Sequence, residues 1–391
     1  MSAKMSVCHM EYVPHVATNA STNVSEDYYY VEYEEEVLRS HLHIEKEVSL
    51  AIVRYVWPLI IVAGTVGNIL SFLVLIRRRM RRTPVYFYLA MLACADTLVL
   101  YLSGFKTWLR VITGFELLHL SNATCKAFMF MFLQSLHLSA FFIVAVTLDR
   151  FLTVMFPFNK SIFGNLRHTK TASLLAFVFI MFYNCHVFWT ISLQTYSDGW
   201  VSCSPSSRTF FMCEVYPWLK LALYTIVPFF LVLVFNLFIV FKMYQTHNQF
   251  NSEDVSSTNR YRNGQYRITV MLLGVSMTWL VLTAPFALYN FIYNAGEHQN
   301  GADEAQIFLF KTICFTLLYI NHGINFYLYC VSGKRFRKEL NDIIRSVRRW
   351  SLYSRKTSSY HVKVISNRDD GYPTAQRFLL RTQRSKEGDA V

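Results

Sequence analysis

An acid and a base stand side by side near the end of a long apolar stretch, where ionisable side chains are rare. Asp149 and Arg150 belong to the segment CKAFMFMFLQSLHLSAFFIVAVTLDRFLTVMFP, which begins at Cys125. At about 1.5 Å of rise per helical residue, this segment is long enough to cross a bilayer core of about 30 Å. The adjacent charges form either a plain ion pair at a membrane surface or a switch that releases the arginine to a partner.

A second acid, Asp96, lies in the middle of another apolar segment. Ionisable groups at that depth are costly to bury and are usually functional. Asn68, Ser139, Asn321 and Asn325 can join Asp96 in one polar cluster. The simplest interpretation of such a cluster is a structural node held together by hydrogen bonds and waters.

The histidines and cysteines show no arrangement typical of a metal or redox centre. His137, His186 and His322 lie in different apolar segments without metal-ligand spacing, and there is no Cys-x-x-Cys motif. This pattern argues against a membrane-embedded metal hydrolase. We therefore expect that the protein is not an enzyme.

The composition is that of a membrane protein. Of the 391 residues, 53% are hydrophobic and only 16% are charged, whereas soluble domains carry about 25% charged residues. The net charge of +13 raises the question of nucleic acid binding. The basic residues, however, cluster around the ends of apolar segments, as in membrane proteins, so we expect no nucleic acid partner.

Seven apolar segments are long enough to span a bilayer, which predicts an all-α membrane protein with a seven-transmembrane helix bundle. The segment GKRFRKELNDIIRSVRRW places apolar residues at helical spacing among basic ones, which predicts an amphipathic eighth helix at the membrane surface. The predicted spans are about 48–76, 84–112, 125–156, 169–194, 216–244, 266–294 and 304–331. The predicted regions are an extracellular acidic tail at 1–47, the bundle at 48–332, the eighth helix at 333–350 and a basic, Ser/Thr-containing cytoplasmic tail at 351–391.

The charges on the two sides of these spans differ in sign. The loop RRRMRR at 77–82 and the region after 333 are basic, whereas the amino end and the loop at 297–304 are acidic. Because cytoplasmic loops carry the excess of Lys and Arg, we expect the amino terminus outside the cell and the carboxyl terminus inside. The expected location is the plasma membrane.

This orientation exposes several modifiable residues to the oxidising side of the membrane. Four cysteines lie there and can form up to two disulfide bonds. The acidic segment at 26–36 contains four tyrosines and is either a solvated tail or a sulfated docking strip. The four cysteines are Cys8, Cys125, Cys203 and Cys213, and the predicted glycosylation sites are Asn19, Asn23 and Asn122.

The order and spacing of several short motifs resemble those of the rhodopsin-like (class A) G-protein-coupled receptors, over about 48–347. The segments LTAPF at 282–286 and NHGINF at 321–326 look like those of neuropeptide receptors in the FMRFamide-receptor-like group. The shared motifs are Gly67-Asn68, Leu92-Ala93-Cys94-Ala95-Asp96, Cys125, Leu148-Asp149-Arg150-Phe151 with Pro157, Pro228, Pro285, Asn325-Phe326-Tyr327-Leu328-Tyr329 and Phe336-Arg337.

The sequence departs from the family pattern at several of these positions. Phe151 and Phe326 replace the usual tyrosine and proline, and Asn236 replaces a helix 5 tyrosine. Gln265 stands where an acid would hold Arg150 in the inactive state. We therefore expect measurable basal signalling.

The resemblance implies roles for specific residues. Arg150 would leave Asp149 and contact the G protein, in a switch that also includes Phe151, Asn325 and Tyr329. A disulfide bond would join Cys125 to Cys203, and Cys8 and Cys213 would then be either paired or free. An allosteric sodium ion, the only cofactor expected, would bind at Asp96, Ser139, Asn321 and Asn325.

The ligand pocket implied by the resemblance lies between the outer halves of helices 2, 3, 5, 6 and 7. Phe132 stands where amine receptors carry an aspartate, and Tyr319 stands where opsins carry the retinal lysine. A monoamine receptor and a photopigment are therefore not expected. The candidate ligand-binding residues are Lys106, Trp108, Phe132, Leu136, Lys220, Tyr224, Tyr289, Asn290, Tyr293, Lys311 and Phe315.

We therefore predict a G-protein-coupled receptor that binds an extracellular neuropeptide and activates heterotrimeric G proteins. An aromatic pocket under an acidic tail suits a peptide with a basic end, whereas Lys106 and Lys311 would suit a carboxylate. The alternatives are a receptor for a non-peptide small molecule and a membrane transporter or channel, which would show inverted repeats. Other expected partners are arrestin, receptor kinases and membrane lipids.

Overall fold

The computed structural model describes residues 44–81, 83–156, 165–195, 201–206, 210–250, 258–295 and 303–349. Within these ranges, only the backbone is described at 213–214, 246–250, 258–265, 293–295 and 303–304. The predictions for Cys8, Asn19, Asn23, the tyrosines of 26–36 and the tail at 351–391 therefore lie outside the described residues. The same is true of the side chains of Cys213, Gln265 and Tyr293.

Among the residues that the structure describes, seven helices are long and apolar enough to cross a membrane, which confirms the predicted fold class. A further helix, α8, follows at 334–349. The spanning helices are α1 (Ile44–Leu75), α2 (Pro84–Thr113), α3 (Asn122–Met155), α4 (Leu166–Thr190), α5 (Tyr216–Gln245, with helical backbone continuing to Phe250), α6 (Thr258–Ala295) and α7 (Asp303–Ser332).

α3 is the most enclosed of the seven spans. Of the 18 consecutive residues with the highest mean hydropathy in α3, 61% are buried within the protein, whereas the corresponding value for α4 is 22%. The helix begins at Ser121, whose hydroxyl accepts a hydrogen bond from the backbone N–H of Thr124. The polar residues that α3 carries in mid-membrane, among them Gln134 and Ser139, are buried against other helices, as the cost of exposing them to lipid requires.

The predicted end of the fourth span was wrong. The helix was expected to continue to residue 194, but it turns at 185–186 and ends at Thr190. Ile191–Thr195 forms strand β1 and pairs in antiparallel register with β2, Val201–Pro205. Residues of β1 are apolar enough that the sequence predicts a continuing membrane helix. Their backbone hydrogen bonds, however, are made to β2 and not to a helical turn.

Proline shapes the amino-terminal half of α5. Pro228 has no N–H group and cannot donate to the carbonyl of Tyr224, one turn earlier. The turn just before it, Ala222–Ile226, is π-helical, a local widening that accompanies functional sites in many helices. This turn sets the rotation of Tyr224, whose side chain is buried in the bundle.

The junction between α7 and α8 is fixed by a glycine and an arginine. A Cβ atom on Gly333 would lie 2.5 Å from the carbonyl oxygen of Tyr329, so only glycine fits this turn. The Nη1 group of Arg337 donates hydrogen bonds to the carbonyls of Cys330 (2.7 Å) and Val331 (2.6 Å). These bonds satisfy carbonyls that the end of α7 leaves without helical partners. The described residues of α8 from Lys338 onward belong to a second unit of the chain.

Candidate functional site

A β-hairpin is fastened to the first turn of α3. Cys125 and Cys203 form a disulfide bond with a Cα–Cα distance of 5.7 Å, which confirms the predicted bridge. The side-chain oxygen of Asn122 accepts a hydrogen bond of 3.1 Å from the backbone N–H of Leu193 in β1. The hairpin is therefore held to α3 both covalently and by a hydrogen bond. Glycosylation of Asn122 stays a prediction.

Five of the predicted ligand-binding residues meet in one apolar cluster between α2, α3, α5, α6 and α7. The cluster also contains Phe286, whose ring centroid lies 5.1 Å from that of Phe315 and 6.2 Å from that of Tyr224. Phe286 was not among the candidates, although its position directly after Pro285 was a usable signal. The five residues are Phe132, Leu136, Tyr224, Tyr289 and Phe315.

Other candidates lie outside this aromatic cluster. The indole N–H of Trp108 donates to the carbonyl of Arg54 in α1, at 3.2 Å. The amide of Asn290 donates to the carbonyl of Phe286 in its own helix, at 2.8 Å. Lys106 and Lys220 are half-buried. These residues do not pack into the aromatic cluster.

Several charged side chains lie close together near the carboxyl-terminal end of α2. The charges of Glu116, Arg110 and Lys311 all act on Lys106. Arg110 and Glu116 are themselves joined by a salt bridge of 3.2 Å. That bridge pairs one base with one acid, and Lys106 lies near both of them and near Lys311.

A group of polar rings lies between α3, α4 and α5, next to Tyr224. The centroid of His137 is 5.3 Å from that of Tyr183, and the centroid of His186 is 4.6 Å from that of Tyr216. Each histidine donates its Nδ1–H to a carbonyl of its own helix. The buried Nε2 atoms and tyrosine hydroxyls of these four residues have no hydrogen-bond partner among the described residues. No motif or spacing in the sequence indicated that these four side chains would converge.

The predicted polar cluster at Asp96 is present, with one unpredicted member. Asp96 is 1% exposed and accepts hydrogen bonds from Ser139 Oγ at 2.6 Å and from Asn325 Nδ2 at 2.8 Å. The third donor is His322, whose Nδ1 lies 2.7 Å from Asp96 Oδ1. Asn321 is buried but, within the described ranges, it makes no hydrogen bond to Asp96.

Close packing of α1 against α7 holds this cluster in place. Asn68 donates from Nδ2 to the carbonyl of His322 at 3.0 Å. Near this bond, Gly64 and Gly323 face each other so closely that a Cβ atom on Gly64 would lie 2.9 Å from the Cα atom of Gly323. Small residues at such contacts let two membrane helices approach with their backbones.

The acid–base pair lies at the other end of α3 from the disulfide. Arg150 donates from Nε to Asp149 Oδ2 at 3.0 Å, and its side chain is only 4% exposed. Phe151 stacks on Phe235 of α5 with a centroid distance of 5.0 Å. Tyr329 is fully buried and contacts the ring of Phe336 at 5.4 Å. The switch residues therefore join α3 to α5 and α7 to the first turn of α8.

Residues 67–329 match the family described as 7 transmembrane receptor (rhodopsin family). The chain is 25% identical to the bovine (Bos taurus) thyrotropin-releasing hormone receptor over 302 residues, covering 70% of this chain and 73% of that receptor. It is 23% identical to the mouse (Mus musculus) neuromedin-U receptor 2 over 312 residues, covering 76% of each. It is 22% identical to the pig (Sus scrofa) growth hormone secretagogue receptor type 1 over 287 residues, covering 71% of this chain and 76% of that receptor.

Proposed function

This chain belongs to the rhodopsin family of seven-transmembrane receptors, and on that premise we propose that it binds an extracellular peptide and activates a heterotrimeric G protein. One observation carries the proposal. α3 carries the hairpin disulfide and the aromatic cluster toward its amino-terminal end and the Asp149–Arg150 pair near its other end, which links a proposed ligand site to a proposed coupling site by one buried helix. It is a multi-pass membrane protein of a receptor family, and we propose that it has no catalytic activity of its own.

A neuropeptide ligand fits the chemistry of the outer half. The aromatic cluster offers apolar and ring surfaces for an aromatic or aliphatic side chain. Lys106 favours a carboxylate or another acceptor group on the same ligand. The named relatives, receptors for thyrotropin-releasing hormone and neuromedin U, support the same ligand class.

The mechanism is a shift between two populations of the receptor. A ligand changes this equilibrium only by as much as it binds one state more tightly than the other. In the described state Arg150 is bonded to Asp149, so the state competent for the G protein is one in which the arginine is released. A peptide that packs Phe286 and Phe315 differently from the unliganded cluster supplies the required difference in affinity.

The surrounding partners follow from the charge distribution. We place the amino terminus outside because RRRMRR at 77–82 marks the cytoplasmic side. The basic α8 would then contact the anionic inner leaflet, and the Ser/Thr-containing tail would be a substrate for receptor kinases and a docking site for arrestin. An amino-terminal epitope tag should be stained on intact cells, and a carboxyl-terminal tag only after permeabilisation.

Nucleotide exchange in membranes from cells expressing the full chain tests the main proposal. At least one member of a broad panel of amidated and free-acid peptides should stimulate exchange. Arg150→Ala should abolish the stimulation while the peptide still binds. If no peptide stimulates exchange on any G-protein subtype, the proposal is wrong.

A matched pair of phenylalanine substitutions tests the ligand site. Phe315→Ala removes a ring from the aromatic cluster and should weaken the peptide response by about tenfold or more, equivalent to about 1.4 kcal/mol. Phe179→Ala removes a ring that is 70% exposed on α4 and should leave the response unchanged at equal surface expression. Equal losses in the two variants would contradict this placement of the ligand.

A further inference from the structure

The carboxylate of Asp96 is already engaged by three donors. Its Oδ1 atom accepts from Ser139 and His322, and its Oδ2 atom accepts from Asn325. The form of Asp96 that could bind a cation is the ionised carboxylate, which only accepts hydrogen bonds, so beside that form the Nδ1 atom of His322 must carry a proton. This assignment holds whether or not the Nε2 atom of the ring is also protonated.

We infer that the Nδ1–H group of His322 occupies the position on Asp96 that a sodium ion would need, so that this receptor does not bind sodium at Asp96. A hard cation is bound by oxygen atoms that present lone pairs. A hydroxyl such as that of Ser139 can rotate to present one. The Nδ1–H of His322 cannot, and its partial positive charge repels a cation at the same carboxylate oxygen.

The ring of His322 is held against displacement. The residue is 1% exposed, and its carbonyl accepts the hydrogen bond from Asn68. The next residue, Gly323, packs against Gly64: a Cβ atom added to Gly323 would lie 3.0 Å from the Cα atom of Gly64. The backbone that carries the imidazole is therefore fixed by a close contact between α1 and α7. A smaller residue at 322 would leave both the volume and the carboxylate oxygen open.

Thermal unfolding of the purified full-length receptor tests this inference without any ligand or G protein. The unfolding temperature is measured in sodium chloride and in potassium chloride at equal concentration. The wild type and each His322 variant are measured with and without the additional substitution Asp96→Asn. The decisive quantity is the sodium-specific shift that disappears with Asp96→Asn. Because neither a peptide nor coupling enters the measurement, its outcome is independent of the proposed function.

The wild type should show no such shift. His322→Ser should gain one of about 2 °C or more at saturating sodium, because a ligand that binds only the folded state raises the unfolding temperature. An Asp96-dependent sodium shift in the wild type would overturn the inference. A folded His322→Ser variant that gains no shift would also overturn it.

A second variant guards against misfolding of the first. His322→Asn replaces the ring with a smaller side chain that can present a carbonyl oxygen, and the same sodium-specific gain is expected. If neither variant folds, the comparison of the wild type with Asp96→Asn decides alone: no shift supports the inference, and a shift overturns it.

Discussion

Gly64→Ala is the substitution for which the structure makes the sharpest stability prediction. The new Cβ atom would lie 2.9 Å from the Cα atom of Gly323 and 2.8 Å from Leu100 Cδ1. Since carbon atoms reach favourable contact at about 3.5 Å, the two helices must separate by about 0.5 Å at this point. The Leu100 methyl group can rotate, but the backbone of Gly323 can move only if α7 moves.

The expected cost comes from two sources. Overpacking of this kind destabilises by about 1–3 kcal/mol. The same movement would lengthen the hydrogen bond from Asn68 to the carbonyl of His322, now 3.0 Å, and a lost hydrogen bond costs about 1 kcal/mol. A total of about 2–4 kcal/mol should lower the unfolding temperature by about 5 °C or more.

The assay is thermal unfolding of the purified receptor, with Gly274→Ala as the matched control. A Cβ atom on Gly274 meets nothing within 4 Å, and alanine is the better helix former. This variant should therefore unfold at the wild-type temperature or slightly above it. The reasoning is refuted if Gly64→Ala unfolds at the wild-type temperature, or if the control loses as much.

Three further predictions concern the disulfide bond of the hairpin, the α5–α6 contact and the Asp149–Arg150 end of α3. Cys125→Ser and Cys203→Ser should each lower the free energy of unfolding by the same amount, up to about 4 kcal/mol, because the disulfide bond closes a loop of 78 residues. The double variant should unfold at the same temperature as either single variant. Asn236 Nδ2 donates to Ser276 Oγ at 2.9 Å across α5 and α6; Asn236→Ala and Ser276→Ala should therefore each raise basal nucleotide exchange to a similar level, and unequal or absent increases would contradict a role for this bond in holding α6. Gln265→Glu should lower basal signalling in a cell reporter assay by supplying an acid for the arginine switch, and unchanged signalling would argue against it.

Local properties of the sequence were sufficient to predict the architecture. Apolar length identifies a spanning helix because the bilayer thickness is fixed and every backbone group must be paired within the helix. The central place of α3 followed from its polar residues, which lipid would not accept. The bridge between Cys125 and Cys203 was predicted by resemblance and is present in the fold.

Hydropathy could not locate the end of α4. Ile191 and Leu193 extend an apolar window as readily in a strand as in a helix. Their strand pairing with Val201–Pro205 depends on a partner segment that lies further along the chain. The helix therefore ends where tertiary hydrogen bonds to that partner become available.

The composition of the polar and aromatic sites was decided by helix rotation and depth. The sequence identified Asp96 as a buried acid, but not His322 as its neighbour, because the two residues are 226 positions apart. Likewise, Phe286 lies in the aromatic cluster although it was not predicted there, and Trp108 was predicted to bind the ligand but donates a hydrogen bond to α1. The sequence by itself determined which helices cross the membrane and which charges they must bury. Only the packing of α1, α2, α3 and α7 decided which side chains hydrogen-bond to those charges, since contacts at hydrogen-bond distance depend on how each helix is turned toward the others.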